Sequence, residues 1–524
     1  MGHNSSEERL INVGTWIERW SYIQPHKIAV YANDTPYTYK ALNERINKLA
    51  NILLERGIKK GDRIAVLMHN SIQYVEIFFA VSKIGGILVP LNWRLATPEL
   101  EFIIKDSKSR LFIFEGDFLE SVTKMKKKIS LEHYICCSDR LERDHHTLPY
   151  WIEDYESLME GASCDKPIVS WQSGDDDTHI IMYTSGTTGA PKGAMLSHKK
   201  TFYNVLNANI YFDLTRKDVA IIARPLFHSG GLIVELAPVL YKGATIIIKR
   251  RFSPEDILKT IEAYKVTILE LPATVYNFIL HECDISKYDI SSVKCFFTGG
   301  ERVPLSLLNS YAEKGIHISQ ISGLTEASTL FWLPYDMAFR KMGSVGKPVF
   351  HAEVKIVDEM GEPVPKGVVG EIIVKGPVVM NGYWGKPDLT KKVIKDGWLY
   401  TGDLAMMDEE GFVFIVDRKK DMFISGGENV YPAEVEKAIL NHPDVHDAAV
   451  IGVEDEKWGE VGKAFIVLKS GKETKEEDIY RFLNERLARY KIPKYIVFVD
   501  RLPKTASGKI RKSLLKELNY FNKA

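Results

Sequence analysis

The 524-residue sequence has few cysteines and no net charge, and both features narrow the classes of protein that it can encode. Its five cysteines are odd in number and lack metal-ligand spacing, which is typical of a reduced, intracellular protein. Lysine plus arginine equals aspartate plus glutamate at 69 each, so the overall charge indicates no nucleic-acid partner. A chain of this length exceeds one compact core, and we expect two or more domains.

Long apolar runs are also missing. The longest candidate, residues 74–93, is interrupted by Glu76, Lys83 and Gly85-Gly86, so it predicts a helix followed by a strand rather than a membrane span. No signal peptide is visible, and we expect a cytoplasmic protein. Residues 481–524 carry 12 lysines and arginines against 3 acidic residues, a surplus that suits a polyanionic ligand or an anionic membrane surface.

Three common catalytic signatures are absent. The sequence contains neither a Gly-x-Ser-x-Gly nucleophile elbow nor a His-Glu-x-x-His zinc motif, which excludes the hydrolases that use them. It also lacks Gly-x-x-x-x-Gly-Lys-Ser/Thr, so an ordinary P-loop NTPase is a poor match.

Strand and helix patterns alternate along the first 320 residues, which predicts a parallel, layered α/β architecture. The predicted strands are 63–68, 87–91, 111–114, 219–223, 244–248, 266–269 and 293–298. The predicted helices include 42–53, which ends before Gly57, as well as 72–84 and 97–105. From about residue 343 the pattern changes to short strands at 353–357, 370–374 and 411–416.

A charged link at 417–421 precedes a small α+β unit of about a hundred residues. This unit has predicted helices at 432–441 and 474–488 and predicted strands at 446–453, 463–468 and 495–499. The predicted fold is therefore α/β, with a large N-terminal domain of layered subdomains, a small β-rich part and a small α+β C-terminal domain.

A glycine-rich segment from Tyr183 to Gly193 follows the apolar run 180–182 and reads Tyr-Thr-Ser-Gly-Thr-Thr-Gly-Ala-Pro-Lys-Gly. Its glycines permit close backbone approach, and successive N–H groups and hydroxyls can then surround a phosphate. Lys192 adds a positive charge. The segment predicts a phosphate-binding loop.

Five further motifs accompany this loop. Each would be read as an ordinary turn in isolation, and their joint order decides the interpretation. They are Pro225–Gly231 with His228, Gly299–Arg302 after a predicted strand, Gly323–Glu326, Tyr400–Asp403 and Pro503–Lys509. A strand's carboxyl end is where open α/β sheets bind ligands, and Glu326 offers the hard oxygen that Mg²⁺ prefers.

The chain resembles the adenylate-forming superfamily of acyl-CoA synthetases, firefly luciferase and peptide-synthetase adenylation domains. Six motifs in the family's order carry the resemblance: Tyr183–Gly193, Pro225–Gly231, Gly323–Glu326, Tyr400–Asp403, Asp417–Glu436 and Pro503–Lys509. The resemblance covers residues 15–515. It implies that a carboxylic acid is joined to AMP with release of pyrophosphate and is then passed to the thiol of coenzyme A. ATP, Mg²⁺ and coenzyme A are the implied cofactors, and the implied partner is a small-molecule acid.

The resemblance also implies roles for individual residues. Thr184 and Glu326 would hold Mg²⁺, and the catalytic residues would be Lys509, Thr325 and His228. The nucleotide would be bound by Thr184, Ser185, Gly186, Thr187, Thr188, Gly189, Lys192, Gly300, Glu301, Arg302, Ser322, Gly323, Leu324, Asp403 and Arg418. Ser322 departs from the family, which commonly has an aromatic residue stacked on adenine at this position.

The implied domains are 1–417, which binds AMP and the acid, a hinge at 418–420, and a mobile domain at 421–524. Lys420 matches the hinge position. Gly426, Gly427 and Glu428 would line the tunnel for the pantetheine arm. In such enzymes the small domain rotates after pyrophosphate leaves, because the two half-reactions need different groups at one site.

The identity of the acid is the most open part of the interpretation. The residues within the motifs are most like those of bacterial fatty-acyl-CoA synthetases, so a medium- or long-chain fatty acid is the first expectation. An aryl or cinnamate-type acid is the alternative. A ligase that loads a carrier protein and a non-catalytic nucleotide-binding protein are further alternatives. A homodimer and peripheral membrane contact also stay open.

Overall fold

The computed structural model describes residues 11–137, 148–184, 191–300, 303–425, 428–455, 458–487, 489–505 and 508–521. The chain forms two compact units. One comprises Met1–Glu353 and Val374–Leu399, and the other comprises Val354–Ile373 and Tyr400–Ala524.

The strands of the described residues are, in chain order, β1 Ile28–Ala32, β2 Thr35–Thr38, β3 Arg63–Leu67, β4 Ile87–Pro90, β5 Leu111–Glu115, β6 His133–Cys137, β7 Glu153–Asp154, β8 Thr178–Thr184, β9 Lys192–Ser197, β10 Val219–Ile222, β11 Thr245–Ile248, β12 Ile268–Glu270, β13 Cys295–Gly299, β14 Ile318–Leu324, β15 Ser328–Trp332, β16 Lys347–Pro348, β17 Glu353–Val357, β18 Gly370–Lys375, β19 Gly382–Tyr383, β20 Ile394–Lys395, β21 Trp398–Met407, β22 Val413–Arg418, β23 Phe423–Ser425, β24 Glu428–Val430, β25 Val445–Asp455, β26 Gly459–Leu468 and β27 Tyr495–Phe498.

The α-helices of the same residues are α1 Trp16–Ile23, α2 Tyr39–Glu55, α3 Ile72–Lys83, α4 Thr97–Ser107, α5 Leu119–Lys126, α6 Tyr155–Gly161, α7 His198–Tyr211, α8 Ala237–Tyr241, α9 Pro254–Tyr264, α10 Ala273–Glu282, α11 Leu305–Ala312, α12 Pro387–Val393, α13 Pro432–Leu440, α14 Glu476–Asn484 and α15 Lys512–Phe521. A π-helical segment, Gly230–Leu236, leads into α8.

Two mixed sheets organise the first unit. The eight-stranded sheet has the order β19-β9-β8-β4-β3-β5-β6-β7, and the nine-stranded sheet has the order β16-β15-β14-β13-β12-β10-β11-β1-β2. Strands β3 to β6 pair in parallel, as do β10 to β14 and the pair of β1 with β11. The central strands consist of consecutive buried aliphatic residues, as expected for parallel strands covered on both faces.

Local sequence explains where several helices begin. The hydroxyl of Ser71 accepts a hydrogen bond from the N–H of Tyr74 at the start of α3, and Ser197 caps α7 through Lys200 in the same way. Gly57, just after α2, has a φ of 73° and supplies the left-handed conformation that ends the helix, as the sequence predicts.

The second unit contains its own sheets. Strands β17, β18 and β21 lie side by side, and β22 pairs with β21 in antiparallel register. The other sheet has the order β24-β23-β26-β25, with β27 parallel to β26. Its core is aliphatic and includes Val435, Ile439, Val450, Ile466 and Ile479.

The structure confirms the predicted α/β class with a large first part and a smaller α+β part. The predicted strands of the first 420 residues lie within two residues of the observed bounds. Three details were wrong. The helix predicted at 474–488 ends at Asn484, soon after its last buried apolar residue, Leu483. The strand predicted from 463 begins at Gly459, because pairing with Asp455 extends it across two glycines. Asp417 and Arg418 belong to β22 rather than to a link.

The predicted hinge residues 418–420 lie inside the second unit, and the hinge itself stays a prediction. Across the described ranges, no helix combines the length and the hydrophobicity that crossing a membrane requires.

Candidate active site

The predicted phosphate-binding loop connects two antiparallel strands. Thr184, the last residue of β8, is paired with Lys192, the first residue of β9. Residues 185–190 lie outside the described residues, so Ser185, Gly186, Thr187, Thr188 and Gly189 stay predictions. The described ends of the hairpin bring a hydroxyl and an ammonium group to opposite positions of one strand pair, which suits a polyphosphate ligand.

The hairpin is anchored by side chains that the sequence did not single out. The hydroxyl of Tyr183 donates a hydrogen bond of 2.6 Å to the Asp106 carboxylate. The indole of Trp384 donates to the carbonyl of the same aspartate, and its backbone N–H donates to the carbonyl of Gly193 over 2.8 Å. Lys386 donates to the carbonyl of Pro191. These anchors come from distant parts of the chain, and no local pattern could have revealed them.

Glu326, the predicted metal ligand, lies beside the same hairpin. Its carboxylate accepts a 2.9 Å hydrogen bond from the hydroxyl of Tyr383, and its carbonyl accepts one of 2.7 Å from the N–H of Met380. The Nζ atom of Lys192 lies 5.5 Å from the centroid of the Tyr383 ring. Burial and the neighbouring Glu326 carboxylate raise the pKa of Tyr383, so this phenol stays protonated and keeps donating.

A buried lysine supports the turn that carries Thr325 and Glu326. Lys200 is fully buried on α7 and donates a hydrogen bond to the hydroxyl of Ser328. Burial lowers the pKa of Lys200 to about 7, although the Glu326 carboxylate opposes this shift. Gly323 is required at the start of the turn, because an added Cβ would lie 1.8 Å from the carbonyl oxygen of Ser328.

The donor set fits a magnesium ion that also binds phosphate oxygens. Glu326 offers a carboxylate oxygen, and Thr184 offers a hydroxyl beside the Lys192 ammonium group. Magnesium prefers hard oxygen ligands and usually takes only one or two from the protein, with phosphate and water supplying the rest.

The His228 motif presents a cluster of aromatic rings. The rings of Phe227 and His228 lie 4.3 Å apart, and Trp93 packs edge-on against Phe227 at 6.0 Å. The guanidinium of Arg94 lies 4.6 Å from the Trp93 ring centroid. The sequence pointed to His228 but missed Trp93 and Arg94, which come from the segment after β4.

The segment after β13 is close to the end of β14. An added Cβ on Gly299 would lie 2.1 Å from the carbonyl oxygen of Ile321, so only glycine permits this approach. Gly300 has a φ of 76°, a left-handed conformation that favours glycine. Ser322 pairs with Phe331 next to a register shift in β14. Glu301 and Arg302 lie outside the described residues.

In the second unit, Asp403 and Arg418 form an ion pair of 2.8 Å and are direct neighbours across β21 and β22. Lys419, the next residue, pairs with Glu371 over 3.0 Å. Two residues predicted to bind the ribose are therefore held together by strand register. Lys420 lies in the turn after β22.

The last motif also forms a turn in the second unit. The N–H of Thr505 donates a 2.6 Å hydrogen bond to the carbonyl of Lys509, and the N–H of Lys509 donates to the Thr505 hydroxyl over 3.1 Å. Lys509 is exposed on this turn. Gly426 and Gly427 are outside the described residues, and Glu428 is placed only through its backbone pairing with Ser425.

The structure thus brings together Thr184, Lys192 and Glu326 in the first unit, and Asp403 and Arg418 in the second. His228 and Gly300 belong to other strand ends of the first unit, and Lys509 to another segment of the second. Their convergence on one nucleotide stays a prediction.

Two family models match the chain. The AMP-binding enzyme model matches residues 17–384, and the AMP-binding enzyme C-terminal domain model matches residues 434–509. The first match covers more than half of the chain.

Individual relatives match along nearly the whole length. The chain is 40% identical to a feruloyl-CoA synthase of an Amycolatopsis species, over 95% of this chain and 97% of the relative. It is 34% identical to an indoleacetate–CoA ligase of Aromatoleum aromaticum, over 97% and 98%. The O-succinylbenzoate coenzyme A synthetase of Bacillus subtilis, solved with ATP and a magnesium ion, is similar with a TM-score of 0.84 and 33% identity, over 96% of this chain and 99% of that one.

Proposed function

The chain belongs to the AMP-binding enzyme family as an AMP-forming acid–CoA ligase that uses ATP, Mg²⁺ and coenzyme A, and from this premise we propose that its acid is an aryl acid. The fatty acid that the sequence favoured becomes the alternative. The carrier-protein and non-catalytic alternatives lose their support, because the named relatives are CoA ligases.

One structural observation carries the proposal. Trp93, Phe227 and His228 form a continuous group of aromatic rings at the His228 motif, where we place the acid. Offset and edge-on contacts between rings stabilise a bound aromatic group beyond simple burial of its surface. Feruloyl, indoleacetate and O-succinylbenzoate all name acids with an aromatic ring, which supports the same class for this chain.

The first half-reaction must bring two anions together, because the acid carboxylate attacks the α-phosphorus of ATP. Lys192 and the loop that it closes would hold the β- and γ-phosphates. Glu326 and Thr184 would hold Mg²⁺, which would supply Lewis-acid stabilisation of negative charge on the phosphate oxygens. Tyr383 holds the Glu326 carboxylate by its hydrogen bond, which fixes one metal ligand before ATP arrives.

The remaining predicted residues orient the substrates. Thr325 would contact the α-phosphate, and Asp403 with Arg418 would hold the ribose. The adenine would face residues 300–302 and 322–324, while His228 would border the acid carboxylate. Lys509 would place its ammonium group beside the carboxylate and the α-phosphate, where the charge develops.

The second half-reaction forms the thioester with coenzyme A. Lys420 would act as the hinge between domain 1–417 and domain 421–524, and residues 426–428 would line the path of the pantetheine arm. The protein's part is to remove Lys509 from the adenylate and to admit the thiol.

A graded panel of acids tests the proposed substrate class. We expect CoA-dependent AMP formation with cinnamate-type acids to exceed that with octanoate and palmitate by about tenfold or more in kcat/KM. Higher kcat/KM for either fatty acid would overturn the aryl assignment and restore the alternative. AMP release that does not depend on coenzyme A would contradict the ligase reaction itself.

A further inference from the structure

A buried guanidinium joins three neighbouring strand ends in the nine-stranded sheet. Arg224 lies two residues after β10, and its Nε and one terminal nitrogen each donate a 2.6 Å hydrogen bond to the Glu270 carboxylate at the end of β12. The same terminal nitrogen donates to the carbonyl of Gly299, at the end of β13, over 2.7 Å. Arg224 therefore fixes the spacing of these strands at their carboxyl edge, where α/β sheets bind ligands.

A second carboxylate meets the same guanidinium. Glu235, from the π-helical segment, has its Oε1 atom 3.0 Å from Nε of Arg224, and its side chain is only 4% exposed. Neither of its oxygens accepts a hydrogen bond from a donor among the described residues. Its other polar neighbours are the Glu270 carboxylate and the backbone N–H of Arg224.

One guanidinium cannot compensate two ionised carboxylates at this depth, because an uncompensated buried charge is very costly. Glu270 receives both strong hydrogen bonds and is the ionised partner of Arg224. Glu235 is then the carboxyl that keeps its proton and donates a hydrogen bond to the Glu270 carboxylate. Burial and the Glu270 charge raise the pKa of Glu235 well above its ordinary value, in agreement with this assignment.

This trio lies between two segments that the proposed function assigns to substrates. Arg224 directly precedes Pro225–Gly231, and an added Cβ on Gly230 would lie 3.1 Å from its Cδ atom. An added Cβ on Gly300 would lie 3.4 Å from a terminal nitrogen of the same side chain. The Arg224 side chain therefore lies next to Gly230 and Gly300, and it contacts the backbone of the second segment directly through the Gly299 carbonyl.

We propose that Arg224, held by an ionised Glu270 and a protonated Glu235, is a positioning residue that sets the distance between the His228 motif and the Gly299-Gly300 turn and thereby shapes the acid site. The proposal rests on the proposed function, because that function places the acid beside these segments. Nucleotide phosphate binding depends on the separate hairpin of Thr184 and Lys192 and is expected to be insensitive to the trio.

Two isosteric variants separate the roles of the two carboxyls. Glu235→Gln replaces a neutral acid by a neutral amide and is expected to leave kcat and the KM for the acid within about twofold of the wild type. Glu270→Gln removes the charge that pairs with Arg224. It is expected to raise the KM for the acid about tenfold or more, with a smaller change in kcat and unchanged affinity for ATP measured without acid.

The outcomes are distinct. Equal defects in the two variants would overturn the assignment of the proton to Glu235, and a normal KM in a folded Glu270→Gln enzyme would overturn the positioning role. Should Glu270→Gln not fold, infrared spectra of the wild type and Glu235→Gln test whether Glu235 is protonated. The band of a protonated carboxyl group must then be present in the wild type and lost in Glu235→Gln. The kinetics of all variants are measured with whichever acid the wild-type enzyme turns over. A wrong substrate class is therefore detected with the wild type alone and does not affect the comparison between variants.

Discussion

The hydroxyl of Tyr383 donates a 2.9 Å hydrogen bond to Oε1 of Glu326. The two residues are 57 positions apart in the chain, yet β19 and the turn after β14 bring them to one place. Tyr383 also pairs with Ala194 of β9 and has Lys192 above its ring. One side chain thus connects the predicted metal ligand to the predicted phosphate-binding hairpin.

Tyr383→Phe removes only this hydroxyl. We expect the Mg²⁺ concentration needed for half-maximal pyrophosphate release to rise about three- to tenfold, because the Glu326 carboxylate loses a charge-assisted hydrogen bond. Tyr264→Phe is the matched control, since its hydroxyl bonds the exposed Asp34. An unchanged Mg²⁺ requirement in Tyr383→Phe would show that Tyr383 does not order the metal ligand.

The stability of the fold is expected to fall in mild acid because of a buried histidine pair. His179 and His198 stack with ring centroids 4.5 Å apart, and both are buried. Burial lowers the pKa of His198 to about 4 from an ordinary value of 6.5 and lowers that of His179 as well. The unfolded chain then binds more protons than the folded chain between these two values, so the stabilisation is complete above pH 6.5 and is lost as pH falls toward 4.

For His198 alone the loss amounts to about 3 kcal/mol across that window. Urea unfolding between pH 4 and 7 measures this loss of unfolding free energy. In His198→Asn, the slope of the unfolding free energy against pH should fall by the contribution of about one proton. Exposed His446→Asn is the control. An identical slope in His198→Asn and the wild type would contradict the assignment.

Much of this architecture could be predicted from the sequence, and the reason differs between the fold and the site. Strands such as Ile64–Leu67 and Ile246–Ile248 are runs of buried aliphatic residues, and serine caps mark the starts of α3 and α7. These signals are local. Hydroxyl, glycine and carboxylate motifs likewise pointed to Thr184 and Glu326.

What the sequence could not supply are the residues that act through distant pairing. Asp106, Trp384 and Tyr383 contact the site only because separate segments of the chain meet there, and nothing in the neighbouring sequence marks them. No sequence motif marks Arg224 either, because its partners Glu235 and Glu270 are brought to it by the π-helical segment and β12. The prediction of a fatty acid depended on the residues within the motifs and did not use Trp93.

Lys420→Pro tests the predicted hinge. A proline at 420 restricts φ at the turn after β22. We expect pyrophosphate release with acid and ATP to stay near the wild-type rate, while thioester formation from supplied acyl-AMP falls about 100-fold because the acceptor site cannot assemble. Lys420→Ala controls for loss of the charge. Normal overall turnover in the proline variant would remove Lys420 from the hinge role.

The central claim is that the ammonium group of the exposed Lys509 serves only the first of two half-reactions. Measuring both half-reactions of Lys509→Ala, beside the exposed control Lys516→Ala, tests it most directly. We expect pyrophosphate release to fall roughly 100- to 1000-fold, while thioester formation from supplied acyl-AMP keeps the wild-type rate. Equal loss in both half-reactions, or normal pyrophosphate release, would contradict the account.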